Sequence, residues 1–306
     1  MDFIAEILAM FIRPIYSIVQ NYGWTIIIFT IILKLVTMPF TVKSQKSMAR
    51  MQQVQPLISE IQRKYANNRE KMQEELMKVY DKYDVSPTGG CMPMILQLVI
   101  LMGFIQIVYK PYTFLLGISK ATISAAATEI GMEAAEITKL ASNQLGITAN
   151  SALMEKLGLT VDSLNLNFLG IDLSKVLSEN MGDIVMWILP VAAVLLTILS
   201  TVMSQNQAKS RQNPDAKKDE QAKQAEAMTK PMLIMMPVMT AYITYTWPLG
   251  CALYWCISTV TQLVQQVIVN EFVVKKMEVI DLKKKKKKKP VNVEKKVIDV
   301  EENTED

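Results

Sequence analysis

Lys34 stands within Ile26–Phe40, a run that is otherwise apolar. In a membrane-spanning helix, a lysine near the centre costs about 2.5–3.5 kcal/mol on insertion scales. A side chain kept at that cost faces a water-filled cavity or a partner, or its stem snorkels to the headgroups from less than two turns inside the run. No Asp or Glu lies inside another long apolar run to pair with it, and Asp183 sits at the edge of one. A cation with no counter-ion of its own is suited to attracting an anionic group from outside the protein. Other polar side chains interrupt apolar runs too: Gln97, Gln106, Thr201, Thr259, Gln262, Gln265 and Gln266. Each has two readings, as hydrogen-bonding glue between helices or as the lining of a wet groove.

Ordinary enzyme chemistry finds little material here. The 306 residues contain no His, which removes the commonest general base and metal ligand. The three cysteines, Cys91, Cys251 and Cys256, lie in apolar runs without a CxxC pair, so they read as packing residues. No GxxxxGK or GxGxxG string offers a phosphate cradle. No cofactor or metal is expected, and the chain does not read as an enzyme. The 21 methionines suit either irregular core gaps or a surface that accepts many partners.

Half of the residues are apolar, and the charged 20% cluster between long apolar runs. Five runs approach the roughly 17–25 residues of a spanning helix: Trp24–Phe40, Cys91–Tyr109, Ile184–Val202, Met232–Trp247 and Leu249–Val269. Pro248 and Gly250 mark a tight turn that makes a hairpin of the last two. The stretch after the first run, the loop 205–230 and the tail are rich in Lys and Arg, whereas the loop 118–182 holds four lysines against seven acids. The positive-inside rule then sets the N-terminus outside and the C-terminus in the cytoplasm, in a multi-pass cell-membrane protein.

The expected fold is therefore all-α, with five transmembrane helices, an N-terminal interfacial helix over 1–22 and a core over 23–272. Phe3, Ile4, Ile7, Leu8, Phe11, Ile12, Ile15, Ile18 and Val19 predict one apolar helical face, lying in the membrane interface or packed on the body. The acidic start and Arg13 do not read as a secretory signal. Residues 44–86 predict a cytoplasmic helical hairpin, with Met51, Val54, Ile58, Ile61 and Tyr65 facing Met72, Leu76, Val79 and Tyr83. Asn67-Asn68 makes the turn, Pro56 kinks the first helix and Pro87 ends the second. The basic tail 273–306 carries Lys283, Lys284, Lys285, Lys286, Lys287, Lys288 and Lys289. That run is either plainly solvated or a ligand for ribosomal RNA or anionic lipid.

Several strings, in this order, resemble the YidC family of membrane protein insertases: GWTIIIFTIILKLVTMPFT, MQQVQPLISEIQRKY, SPTGGCMPMILQ, NFLGIDLS and MMPVMTAYITYTWPLGCALYWCISTVTQLVQQ. The resemblance runs from about residue 10 to 272. It implies a five-helix core around a hydrophilic groove, open to cytoplasm and lipid, that inserts nascent membrane proteins alone or beside the Sec translocon. It further implies that Lys34 is the groove cation, where many members carry Arg, and that Gln97, Thr201 and Trp255 contact substrate in the groove. Leu98, Leu101 and Tyr254 match the slide along which a substrate helix leaves. Val99 and Thr259 depart from the Pro and Asn common at those positions.

A solute transporter would call for paired ionisable residues or internal repeats, and neither is evident. A membrane enzyme would call for an intramembrane carboxylate pair. A purely structural assembly partner remains the third alternative. The lack of a cleavable signal and of a large outer domain points to a bacterium with a single membrane.

Overall fold

The computed structural model describes residues 2–86, 92–160, 163–211, 234–275 and 277. Helix dominates: α1 (Asp2–Val19), α2 (Tyr22–Lys64), α3 (Arg69–Tyr83), α4 (Met92–Tyr109), the short α5 (Pro111–Phe114), α6 (Lys120–Glu129), α7 (Ala134–Ser142), α8 (Ser151–Lys156), α9 (Ile188–Arg211), α10 (residues 234–246) and α11 (Leu249–Val269). The expectation of an all-α chain is met apart from one small element. Two-residue strands β1 (Asn167–Phe168) and β2 (Ile171–Asp172) pair antiparallel. Among the described residues, three helices are long and apolar enough to cross a membrane: Tyr22–Lys64, Ile184–Gln207 and Leu249–Val274. Ile95–Tyr109 is a shorter apolar helix.

α2 is one uninterrupted helix of 43 residues that runs through Pro39 and Pro56. At 1.5 Å per residue it is about 65 Å long, roughly twice the hydrocarbon thickness of a bilayer. The expected first span and first hairpin arm are thus a single helix, with Pro56, expected as a kink, inside it. Each proline forfeits one backbone hydrogen bond, and the neighbouring turns carry the helix past it. Asn21 starts α2 by accepting a hydrogen bond from the Trp24 N–H at 3.2 Å.

α3 folds back on the far half of α2. Asn68 caps it by accepting from the Lys71 N–H, as the Asn-Asn turn predicts. Val54, Ile58 and Val85 form a small buried cluster with Met51, Leu76, Val79, Tyr80 and Tyr83 packed around it. The helix ends at Tyr83, earlier than Pro87, because Asp84 takes the left-handed conformation that closes a helix C-terminus. Pro87 itself lies outside the described residues.

α1 packs along α4 and α2, and its apolar residues fall on two faces rather than one. Ala5, Leu8, Ala9, Ile12 and Tyr16 are buried, while Phe3, Ile7, Met10, Phe11 and Ile18 point outward. Gly103 on α4 permits the contact: a Cβ there would sit 2.6 Å from Ile4 Cγ2. The end of α1 is held by polar contacts. Asp2 pairs with Lys110 at 3.2 Å and with Lys120 at 2.5 Å. Arg13 donates to the Thr113 and Phe114 carbonyls.

Residues 118–182, expected only as a long loop, build a folded cap over one end of the bundle. Ser119 and Asn150 cap α6 and α8 by accepting backbone N–H bonds. Buried Gln144 exchanges hydrogen bonds with Thr113 at 2.7 and 3.0 Å. Tyr16 donates to the Ser163 carbonyl and accepts from the Asn165 N–H. The N–H groups of Leu249 and Gly250, which begin α11, donate to the Lys175 and Leu173 carbonyls at 2.9 Å. These bonds satisfy donors that every helix start leaves open. The Pro248 turn between α10 and α11 is as expected, and Pro248 bridges Val176.

Candidate functional site

Three helices meet at Lys34. From α4, Gln97 accepts a hydrogen bond from the Lys34 ammonium at 2.9 Å. The same carboxamide donates through Nε2 to the Tyr254 hydroxyl on α11 at 2.9 Å. About three turns further along α11, Gln265 donates to the Lys34 backbone carbonyl at 2.7 Å. The lysine head is therefore turned into the bundle, which is the opposite of snorkelling. Among the described residues it forms no ion pair with a carboxylate. An ammonium has three donors, and the bond to Gln97 uses one of them.

Packing changes at this level. On α2, Tyr22, Gly23, Thr25, Ile26, Phe29 and Thr30 are buried, and the next buried residue is Ser44. Among the described residues of α4, Leu101, Gly103, Phe104, Ile107 and Val108 are buried, all on the cap side of Gln97. Stacked rings close the packed half: Phe104 lies 4.3 Å from Tyr254 and 6.2 Å from Phe29, centroid to centroid. Beyond them, toward the α2–α3 hairpin, burial continues on α11 through Thr259, Gln265 and Val269, while α2 and α4 expose apolar residues. Ile31, Ile32, Leu35 and Val36 are exposed on α2, and Ile95, Leu98 and Val99 on α4.

Trp255 is half-buried and donates from Nε1 to the Thr197 hydroxyl at 3.1 Å. Thr201, the residue singled out by sequence, bonds only the Thr197 carbonyl behind it. Thr197 is the hydroxyl of α9 that reaches Trp255. It lies four residues before Thr201 on the same helical face, and that spacing was the signal for it. Of the slide residues, Leu98 is exposed, whereas Leu101 and Tyr254 are buried in the core. Gln106 accepts from Lys110, Thr259 donates to the Trp255 carbonyl, and Gln266 bonds Ser204 and Gln207. These act as links between or within helices. Gln262 is exposed. Cys251 and Cys256 are buried free thiols. Cys91 and Lys283–Lys289 lie outside the described residues.

Lys110 and Asp2 were not singled out by sequence. Lys110 is almost fully buried at the cap end and also donates to Gln106 at 2.8 Å. The Lys120 hydrogen bond, helped by Lys110, holds the Asp2 carboxyl below its ordinary range.

Comparison with known proteins connects this geometry to a family. A protein from Nitratidesulfovibrio vulgaris strain DP4 is 44% identical over 104 residues, which is 34% of this chain and 20% of that protein. One from Treponema denticola is 26% identical over 266 residues, 87% of this chain and 37% of the relative. One from Syntrophobacter fumaroxidans is 38% identical over 117 residues, covering 36% and 21%. All three are titled membrane protein insertase YidC. The chain thus spans well under half the length of these relatives. The profile described as 60Kd inner membrane protein matches residues 14–277, a range that contains Lys34, Gln97, Thr197, Tyr254 and Trp255. The chain belongs to the 60Kd inner membrane protein family, the family of the YidC insertases.

Proposed function

We propose that this protein is a membrane protein insertase and chaperone that brings nascent membrane proteins into the bilayer through a polar groove centred on Lys34. The observation that carries this reading is the Lys34 ammonium. It is turned inward, hydrogen-bonded to a neutral carboxamide, and placed between Thr30 and Ser44, where α2 has no buried residue. Moving a polar tail across about 30 Å of hydrocarbon leaves backbone groups unsatisfied at several kcal/mol each. A wet groove that reaches part-way shortens the dry path. A cation at its end lowers the cost of an acidic side chain, because two unit charges at 4 Å attract by about 4 kcal/mol at an effective dielectric near 20.

The remaining assignments follow from the same reading. The bundle has five spans, with α4 and α10 as the shorter two. The cap 118–182 faces outward and the α2–α3 hairpin faces the cytoplasm, following the Lys and Arg distribution. The exposed apolar residues of α1 lie in the membrane interface. Thr201 and Trp255 border the groove, with Thr197 added, while exposed Leu98 meets the departing helix and buried Leu101 and Tyr254 back it from the core. The lysine run 283–289 supports contact with the ribosome or anionic lipid, and the family resemblance supports work beside the Sec translocon.

The test is a charge series at Lys34 in liposomes holding the purified protein. Lys34→Arg is expected to insert an acidic-tailed substrate about as well as the parent. Lys34→Ala is expected to fail, and Lys34→Glu to fail more severely, since a like charge repels the arriving carboxylate. Normal insertion of the acidic-tailed substrate by a stably folded Lys34→Ala protein overturns the reading.

A further inference from the structure

The Lys34 ammonium already holds an oxygen. Gln97 Oε1 accepts from it at 2.9 Å, and Gln97 cannot turn away freely, because its Nε2 is committed to the Tyr254 hydroxyl at 2.9 Å. Tyr254 is itself a fixed wall: it is fully buried and its ring lies 4.3 Å from Phe104, which is also fully buried. Phe104 sits seven residues along α4 from Gln97, two turns away on the same face, so one helix supplies both the carboxamide and the ring that steadies its partner. The lysine backbone is anchored in turn by Gln265 at 2.7 Å. The carboxamide oxygen is thereby held against the cation.

We infer that Gln97 is the resting ligand of Lys34 and sets what the site accepts, an inference that rests on the groove reading above. A carboxamide oxygen is a neutral acceptor. The bond to Gln97 is charge-assisted through its donor alone, whereas a carboxylate adds the attraction between two opposite charges. An arriving Asp or Glu therefore competes well with Gln97, while an arriving Asn or Gln offers only what Gln97 already supplies. The site selects carboxylates over amides. Gln97 also governs release. When the substrate carboxylate leaves, the carboxamide takes its place, so the desolvated cation is never stranded without an acceptor. The ligand class is a carboxylate side chain near the end of an inserting helix, and Gln97 acts as a positioning residue for the cation.

The experiment uses the full chain in liposomes and two substrates identical except that one tail carries Asp and Glu and the other Asn and Gln. The quantity read is the ratio of their inserted fractions. Gln97→Glu supplies a built-in carboxylate, and the ratio is expected to fall about tenfold toward parity, the change that about 1.4 kcal/mol of lost discrimination gives. Gln97→Leu removes the resting acceptor, and the acidic-tailed substrate is expected to remain crosslinked to the groove longer than in the parent. The transposed pair, Lys34→Gln with Gln97→Lys, is expected to restore the ratio, which a merely structural role does not predict. An unchanged ratio in Gln97→Glu overturns the inference, as does an unchanged crosslink lifetime in Gln97→Leu. If Lys34→Ala loses the preference while Gln97→Glu keeps it, only the role of Gln97 falls. If both keep it, the groove reading falls as well.

Discussion

The contact between Trp255 and Thr197 separates two readings of α9 that differ by one helical turn. The Thr197 hydroxyl accepts from the Trp255 indole at 3.1 Å and donates to the Ala193 carbonyl at 2.8 Å. Thr197→Val keeps the shape and removes the oxygen. The Ala193 carbonyl retains its helical position, so the main loss is the indole N–H, left without its acceptor in a half-buried setting. Hydrogen bonds between side chains in a bilayer are worth about 0.6 kcal/mol on average and up to about 1.7. A desolvated donor lies toward the upper part of that range, so about 1 kcal/mol is expected, roughly a fivefold change in the unfolding equilibrium. Thr201→Val removes only a bond to its own helix backbone, worth at most a few tenths of a kcal/mol. Reversible unfolding in mixed micelles, with Trp255→Phe as the second mutation of each cycle, measures the coupling directly. About 1 kcal/mol of coupling is expected at Thr197 and none beyond about 0.3 at Thr201. Equal coupling at both, or a larger value at Thr201, refutes the reasoning.

Two further outcomes test the ends of the bundle. A cysteine introduced at Ser142 is expected to react with an impermeant thiol reagent in intact cells while one at Asn68 stays protected; the reverse pattern inverts the orientation. Asp2→Asn is expected to loosen α1, with amide exchange in its first turns about two- to fivefold faster at neutral pH, the range that roughly 0.5–1 kcal/mol for a half-exposed ion pair gives. The folded-state pKa of Asp2 is depressed, so its contribution is present above the ordinary carboxylate value of 3.8 and is lost as pH falls through the lower folded value. In the parent, α1 protection should thus stay flat from neutrality to about pH 4 and fall below it; a fall centred near pH 6 contradicts this assignment.

The sequence was most legible where period and punctuation coincide. Asn67-Asn68 lies between two apolar repeats and became a turn with Asn68 as a cap. Pro248 became the α10–α11 corner. The oddity of Lys34 was legible too, because a lysine is costly in an apolar run, but its spacing allowed snorkelling as well as an inward head, and the contact with Gln97 decides between them. Three features were less visible. α1 reads as one apolar face because nearly all its faces are apolar, and only small residues such as Ala5, Ala9 and Gly103 mark the packed side. The cap 118–182 has short helices of six to ten residues, too brief to show a period, and its stability comes from long-range bonds such as Tyr16 to Ser163 and Asn165. The partner of Trp255 depends on helix rotation: Thr197 and Thr201 share a face, and only the approach of α11 decides which one touches.

The position of Lys34 along the bundle matters as much as its charge. A lysine buried among Tyr22, Ile26 and Phe29 would carry the full penalty of an ion in a packed apolar core. One at the far end of α2 would rest in water and attract nothing at close range, because exposed charges are screened within about 8 Å at physiological salt. Lys34 stands four residues beyond Thr30, where burial on α2 is interrupted until Ser44, and Gln97 stands four residues before Leu101, the first buried residue described on α4. Lys34 and Gln97 thus both lie on the hairpin side of the aromatic layer formed by Phe29, Phe104 and Tyr254. The amide of Gln97 links the cation to that layer, with its oxygen on the cation and its nitrogen on a fully buried tyrosine. In the groove proposed above, a carboxylate entering from the hairpin side reaches Lys34 without crossing the stacked rings. That placement supports a strong but reversible attraction, because the ammonium is desolvated enough to pull and already holds an acceptor when the visitor leaves.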